Sequence, residues 1–270
     1  MTSATARLGV GDAMSELRRK IADKRNEIVC DTDEAFLLKF LDRKEFDVDS
    51  ALASIVKYYN LRKEFPEKIW PRGKGVKWME PFVALENCTI LPMKNPKDNT
   101  RIFMWRKGHW NPEEKIFDLA DCLTWSLYMT EYFLYMRRND EEDCAGWTYI
   151  MDLSGFTARH IPHCDLQVVR AYSGILAGAL PLRVKAIHFL NVPLVFQYAL
   201  QLIKFLLGTK LRNRVFVHSS REKLTSEVDP SVLPEGYGDS GMKFSSRWIY
   251  EEMLQLEDQF EERSYHGFTK

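Results

Sequence analysis

Residues 180–207 read LPLRVKAIHFLNVPLVFQYALQLIKFLL, and a strand rhythm gives way to a helical one within them. Val184–Leu190 is a short, mostly apolar run ended by Asn191, which is the length and make-up of a buried strand. From Pro193 to Leu207 the pattern predicts a helix with proline at its start. Leu194, Val195, Phe196, Tyr198, Ala199, Leu200, Leu202, Ile203, Phe205, Leu206 and Leu207 cover nearly its whole circumference. Only Gln197, Gln201 and Lys204 form a polar stripe. A helix that merely covers a core shows a broad polar face. Two readings therefore stay open: a helix buried on both sides, or a lid with a pocket beneath it and lipid outside.

Positive charge gathers around this segment. Arg183 and Lys185 precede the helix, and Lys204, Lys210, Arg212 and Arg214 lie in or after it. Lys210 and Arg214 are four apart, a spacing that lets both reach one group. Beside an apolar lid, contact with anionic lipid is a better reading of this cluster than a merely solvated surface.

Strands and helices alternate on either side. Cys88–Met93 and Arg101–Arg106 read as strands about a turn at Asn95, Pro96, Lys97 and Asp98, with further strands at Trp147–Leu153 and Arg214–His218. Asn111, Pro112 and Glu114 signal the start of a helix whose inner face holds Phe117, Ala120, Leu123, Leu127, Thr130 and Leu134. Asp165–Leu180 predicts another helix. Such alternation implies an α/β fold, with a mostly parallel sheet flanked by helices.

Ahead of it, residues 12–66 read as a small helical unit. A charged helix runs from Asp12 to about Val29, and Asp31 and Glu34 have capping-box spacing before Phe36, Leu37, Phe40 and Leu41. Asp47 is placed to cap a helix carrying Leu52, Ile55, Val56 and Tyr59. Residues 1–11 read as a disordered lead-in, while Pro66, Pro71, Gly73, Gly75 and Pro81 mark a linker. Ser246–Arg263 predicts a last, acidic helix with Trp248, Ile249, Met253, Leu256 and Phe260 facing inward. The domain plan is thus 12–66, 85–240 and a C-terminal 241–270.

Lys+Arg and Asp+Glu number 38 each among 270 residues, so the global basic excess of a nucleic-acid binder is absent. Cys30, Cys88, Cys122, Cys144 and Cys164 are scattered without pairing rhythm and read as reduced thiols of a cytoplasmic protein. The first twenty residues hold no apolar run of the signal-peptide kind, and Val192–Leu207 is too short for a bilayer span. Gly236, Gly238 and Gly241 satisfy G-x-G-x-x-G but follow Leu233 and Pro234 near the end of the sheet, not a strand opening a βαβ unit. His160 and His163 beside Cys164 and Asp165 lack a second ligand pair, and His218 beside Ser219 and Ser220 is adjacency, not a triad. No catalytic residue, metal or cofactor is expected.

Taken in order, Leu180 to Asn191, Pro193, Phe196, Ile203–Leu206, Lys210, His218 and Leu233–Gly238 resemble the CRAL-TRIO (Sec14-like) lipid-binding domain. Leu37–Leu41, Phe46, Asp47, Ala51, Tyr58, Tyr59, Arg62 and Glu64–Pro66 are similar to the helical domain that precedes it, so the likeness spans about residues 12 to 262. Members that carry tocopherol are nearest, marked by His109, Trp110, Asn111 and Pro112, with those that carry retinaldehyde next. The resemblance implies a non-enzymatic, monomeric carrier that encloses one hydrophobic ligand, tocopherol-like or another isoprenoid, and releases it at phosphoinositide membranes. A retinoid or phospholipid carrier and a phosphoinositide-sensing interaction module are the alternatives. It further implies that Ser126 and Thr130 orient the ligand within apolar contacts from Leu123, Trp147, Met151, Ile175, Leu176, Leu180, Leu182 and Ile187. Val195, Ala199 and Leu202 fall on lid positions, and Lys44, Arg183, Lys185, Lys210 and Arg214 on phosphoinositide positions. The chain departs from the pattern at Ala158 and Pro162, where phenylalanines are usual, and at Phe205, which follows Lys204 without the usual proline. The stretch from Met129 to Gly146 reads as about three residues longer than the family's.

Overall fold

Leu17 and Ile21, Phe36 and Phe40, and Ile55 and Tyr59 are pairs four apart, and each lies buried along one side of its helix. These helices are α1 (Val10–Asp23), α2 (Glu34–Arg43) and α3 (Val48–Glu64). The computed structural model describes residues 9–25, 27–65, 69–114, 117–137 and 144–267. Within it the three helices pack on one another and share a single apolar core with the sheet that follows. Asp47 caps α3 as expected, its carboxylate accepting from the Ser50 amide at 2.9 Å.

The box expected at Asp31 and Glu34 does not form. Asp31 instead accepts from the Asp33 amide at 2.8 Å and pairs with Arg263 from the far end of the chain, so α2 starts after Asp33 without a side-chain cap. The first helix also stops at Asp23, short of Val29, whose carbonyl accepts from the Gly267 amide at 2.6 Å. The expected disordered lead-in lies outside the described residues as far as residue 8, and Val10 already belongs to α1. Pro66 of the expected linker, and residues 138–143 of the stretch read as longer, also lie outside them.

After α4 (Glu80–Ala84), β1 (Cys88–Ile90) and β2 (Thr100–Arg106) pair antiparallel about a turn closed by the Asn95 amide on the Thr100 carbonyl, 2.8 Å. Asn111, Pro112 and Glu114 make only a single tight turn. The helix expected there, α5 (Leu119–Glu131), begins later, because Asp118 and Asp121 exchange backbone and carboxylate hydrogen bonds at 2.9 Å in a capping box. Phe117 therefore precedes α5 and packs on Phe82. Next come β3 (Gly146–Asp152), α6 (Leu166–Gly174, capped by Asp165) and β4 (Val184–Leu190). The stretch expected to continue α6 opens into a wide turn, Ile175–Ala179, in which Gly178 takes φ +112°. A tight turn at Leu194–Phe196 leads into α7 (Gln197–Leu206), and Gly208 at φ +70° sets off α8 (Gly208–Arg212). Then follow β5 (Val215–His218), α9 (Arg221–Glu227), α10 (Arg247–Leu254) and α11 (Glu257–Ser264). The last two replace the single C-terminal helix expected, since Glu257 turns to accept the Val76 and Lys77 amides.

The five strands lie in the order β1-β2-β3-β4-β5, antiparallel at the first pair and parallel thereafter. Both faces are buried over β1 to β3 and most of β4, as a parallel sheet requires, while β5 at the edge leaves Phe216 and Val217 exposed. Phe103, Trp105, Tyr149, Met151, Ile187 and Phe189 face the larger core with α5, α6 and α7. Ile102, Met104, Ile150 and Leu190 face a smaller one closed by Leu224, Val228, Val232, Leu233 and Phe244.

A buried polar knot ties the first three helices to the rest. Tyr58 of α3 donates to the Glu131 carboxylate of α5, and Trp70 Nε1 donates to the same oxygen at 3.3 Å. The Arg62 guanidinium lies 5.7 to 5.8 Å from the Tyr58, Tyr59 and Trp70 ring centres and donates to the Arg263 carbonyl at 2.8 Å. Deleting one member of a buried charged network leaves the others unpaired. Glu131→Ala should therefore lower stability by about 3–5 kcal/mol in chemical denaturation, and a loss under about 1 kcal/mol would show that the knot is not needed.

Candidate functional site

Packing leaves a cavity of about 170 Å³ between the sheet and helices α6 and α7. Its floor is Trp105, Met151, Ile187 and Phe189, drawn from three neighbouring strands. Leu119 and Leu123 of α5, Val168, Val169 and Tyr172 of α6, and Leu176 in the wide turn form one side. Ala199, Leu202 and Ile203 of α7 close the other, with Phe196 and Leu207 at its ends. Even the Ser173 hydroxyl in this wall is turned into its helix, donating to the Val169 carbonyl at 2.9 Å. Apart from Lys107, a cavity lined in this way offers water few partners and favours apolar molecules.

The covering helix is apolar on its outside too. Within α7 only Leu200 is fully buried, while Tyr198 is 88% and Phe205 70% exposed, and Leu194 in the turn before it 80%. This decides against a helix buried on both sides, because its outer face meets solvent. Large apolar side chains clustered at such exposure mark a contact surface.

Basic side chains from two parts of the chain converge beside it. Burial lowers the Lys44 ammonium pKa, and the neighbouring charges of Arg43, Lys57 and Lys210 lower it further. Burial likewise lowers that of Arg43, with Arg183 and Arg214 adding to the effect, and Arg43 Nε donates to the Leu182 carbonyl at 3.1 Å. Arg183 reaches Asp42 at 3.2 Å, and Arg214 donates to the Val184 carbonyl. Lys185 stands exposed beside Gly146.

Of the residues implied by resemblance for ligand contact, Leu123, Met151, Leu176 and Ile187 border the cavity. Ser126, Thr130, Trp147, Ile175, Leu180 and Leu182 are buried and do not border it. The Ser126 and Thr130 hydroxyls donate within α5, to the Leu123 and Ser126 carbonyls at 2.8 and 2.7 Å. Ala199 and Leu202 face the cavity, whereas Val195 lies outside its lining.

His160 is a structural residue. Its Nδ1 accepts from the Thr157 amide at 3.0 Å, so Nε2 carries the proton and donates to the Trp110 carbonyl, also at 3.0 Å. His188 and His218 bond to each other at 2.7 Å, which takes His218 away from its serine neighbours. The Gly236–Gly241 segment is a turn from which Tyr237 donates to Asp152. Among the described residues, no group of three or more His, Cys, Asp or Glu side chains is placed to hold a metal, and no helix is long and apolar enough to cross a membrane.

Residue-pattern reading missed Trp105, Tyr172 and Lys107 in the cavity wall, and Arg43 in the basic cluster. Lys107 was within its reach, because it stands two places after the inward Trp105 and so keeps the inward phase of β2.

A mostly parallel sheet with an apolar cavity beneath a helix that also exposes apolar side chains on its outer face is the architecture of a lipid-binding protein. A family model described as the CRAL/TRIO domain matches residues 86–238, and the chain belongs to the CRAL-TRIO (Sec14-like) family of lipid-binding and lipid-transfer proteins. The alpha-tocopherol transfer protein-like protein of Homo sapiens is 26% identical over 245 residues, which cover 90% of this chain and 69% of that protein. Clavesin-2 of Homo sapiens is 24% identical over 248 residues, 88% of this chain and 73% of that one. The crystal structure of Sfh5 superposes with a TM-score of 0.54 over 92% of this chain and 99% of that chain at 14% identity, a likeness of fold.

If the cavity is where an apolar molecule enters, filling it from α7 will block entry. Ala199→Trp should weaken uptake of an apolar fluorescent probe by about 1–3 kcal/mol, the usual cost of overpacking. Tyr198→Trp, one residue along on the exposed face, should leave uptake unchanged. Equal titration curves for the two variants would place the probe elsewhere.

Proposed function

We propose that this protein is a carrier: it encloses one hydrophobic molecule, of tocopherol-like or other isoprenoid character, and exchanges it at membranes bearing phosphoinositides. The observation that carries the reading is α7, which borders the cavity with Ala199 and Leu202 while Tyr198 and Phe205 stand exposed on its other side. Shielding an isoprenoid chain is favourable by roughly 25 cal/mol per Å² of apolar surface, so release into water is disfavoured and release into a bilayer is not. The cavity is small, comparable to one that holds a single aromatic ring, so a longer ligand requires α7 to move outward. Outward movement presents Val195, Tyr198 and Phe205 to acyl chains, and a membrane that binds this face biases the helix toward the open state.

In this reading Lys44, Arg183, Lys210 and Arg214 meet the phosphates of the lipid headgroup, with Lys185 in support. The electrostatic proximity of Lys44 and Lys210, and of Arg183 and Arg214 through Arg43, supports it. Working beside membranes without spanning them, the carrier would be a cytoplasmic monomer that associates peripherally during exchange. Each basic residue near an anionic surface contributes about 1 kcal/mol. Replacing Arg183, Lys210 and Arg214 together by alanine should thus weaken binding to phosphoinositide vesicles by several kcal/mol, and salt should weaken the wild type in the same direction. The decisive measurement is transfer of a labelled isoprenoid between vesicles. A triple variant that still delivers ligand faster to phosphoinositide vesicles than to neutral ones would overturn the role given to these residues.

A further inference from the structure

Among the described residues, the cavity wall contains one side chain that carries a formal charge, the lysine at position 107. Lys107 stands immediately beyond β2, and its ammonium lies over the Trp105 indole at 2.8 Å from the ring centre. That face attracts a cation but does not neutralise it. Among the described residues, no carboxylate borders the cavity and none accepts a hydrogen bond from or forms an ion pair with Lys107 Nζ.

The polar atoms around it repeat the same imbalance. Tyr172, whose ring centre is 5.8 Å from that of Trp105, has a buried hydroxyl with no hydrogen-bond partner, and Trp105 Nε1 is likewise unpartnered. Cys164 gives its thiol proton to the His160 carbonyl. This corner therefore holds an ammonium and, among the described residues, no counter-charge. Leaving an ammonium unpaired in an apolar wall is costly, and a ligand that supplies an anion removes the cost where a neutral ligand does not. An ionised carboxylate suits it best, being acceptor-only with room for several donors.

Resting on the reading of this cavity as the ligand site, we infer that the protein selects amphipathic carboxylic acids, with the carboxylate against Lys107 and the apolar tail beneath α7. Lys107 sets the specificity.

Proton uptake gives this arrangement a signature. Burial pushes the Lys107 ammonium down to about 8, so it is still mostly charged at neutral pH. The titratable groups around it are the thiols of Cys88, Cys122 and Cys164 and the Tyr172 phenol, all pushed upward by burial. Between about pH 6 and 9 Lys107 is the member of this group that changes charge, and preference for an acid should fall as pH rises through that range.

The test uses the full chain and two fluorescent probes of one shape, cis-parinaric acid and its methyl ester. Wild type should bind the acid tighter by roughly tenfold or more near neutral pH, the range of a charge-assisted hydrogen bond. Lys107→Met should bind both probes equally, with ester affinity retained. Lys107→Arg, whose charge does not titrate, should keep the preference and lose its fall with pH, and it secures the result should the methionine variant fold poorly. Equal binding of acid and ester by wild type, or a preference that survives in Lys107→Met, would overturn the head-group inference and leave the carrier reading standing. Binding of neither probe would overturn the head-group inference, whereas the carrier reading is overturned only by failure to transfer a labelled isoprenoid. Trapping of an aldehyde on Lys107 by borohydride, without any preference for acid, would replace the carboxylate by a carbonyl ligand and so also overturn the inference.

Discussion

Trp105, Met151 and Phe189 lie side by side across three parallel strands, and the neighbouring inward row is Phe103, Tyr149 and Ile187. Because side chains alternate across a strand, this register commits Met104 and Ile150 to the opposite core, and a slip of one residue would exchange the two sets. The floor of the cavity, the core behind it and the direction in which Lys107 points all follow from that pairing. So does the need for helices, because a parallel sheet with apolar residues on both faces must be covered twice.

The two coverings are unlike. Behind the sheet, Leu224, Val228, Val232, Leu233 and Phe244 pack directly on Ile102, Met104 and Ile150 and leave a closed core. In front, α6 and α7 leave an apolar cavity between themselves and the floor, and Gly178 at φ +112° turns the chain out of α6. Interiors normally close to crystal-like density, so an apolar void that persists forgoes dispersion contacts. A void of this kind that borders a helix exposing Tyr198 and Phe205 forgoes stability on both sides of one element. That element, with only Leu200 fully buried, therefore has few buried apolar contacts, as a low-stability segment does.

Rigidity comes from elsewhere. Glu131 gathers Tyr58 and Trp70 while Arg62 spans from their rings to the Arg263 carbonyl, so α3, α5 and the C-terminal helices meet at one buried point. Asp31 with Arg263, and Glu257 on the amides of Val76 and Lys77, draw the chain ends onto the same side. The basic cluster inherits this order, since Arg43 sits in α2, against the Leu182 carbonyl that leads into β4. The outward apolar face of α7 thus stands against a frame held by buried polar contacts.

Local chemistry made much of this legible in the chain itself. The exact span of β4, the cap at Asp47, the strand-helix alternation and the amphiphilic run ending at Leu207 are dictated by neighbours within a few residues, and short-range rules read them. So did the family likeness, which rests on the order of such signals. What local rules could not reach depended on partners far away in the chain. Asp31 is spaced for a capping box yet is claimed by Arg263, and Asn111 is spaced for a helix start yet yields to the box at Asp118 and Asp121. Ser126 and Thr130 share a helix face, but whether a face borders a void depends on how closely the neighbouring elements approach. Lys107 shows the limit most clearly. Its phase along β2 was written in the sequence, but its place in an apolar wall exists only because folding put thiols, rings and aliphatic chains around it and, among the described residues, no carboxylate.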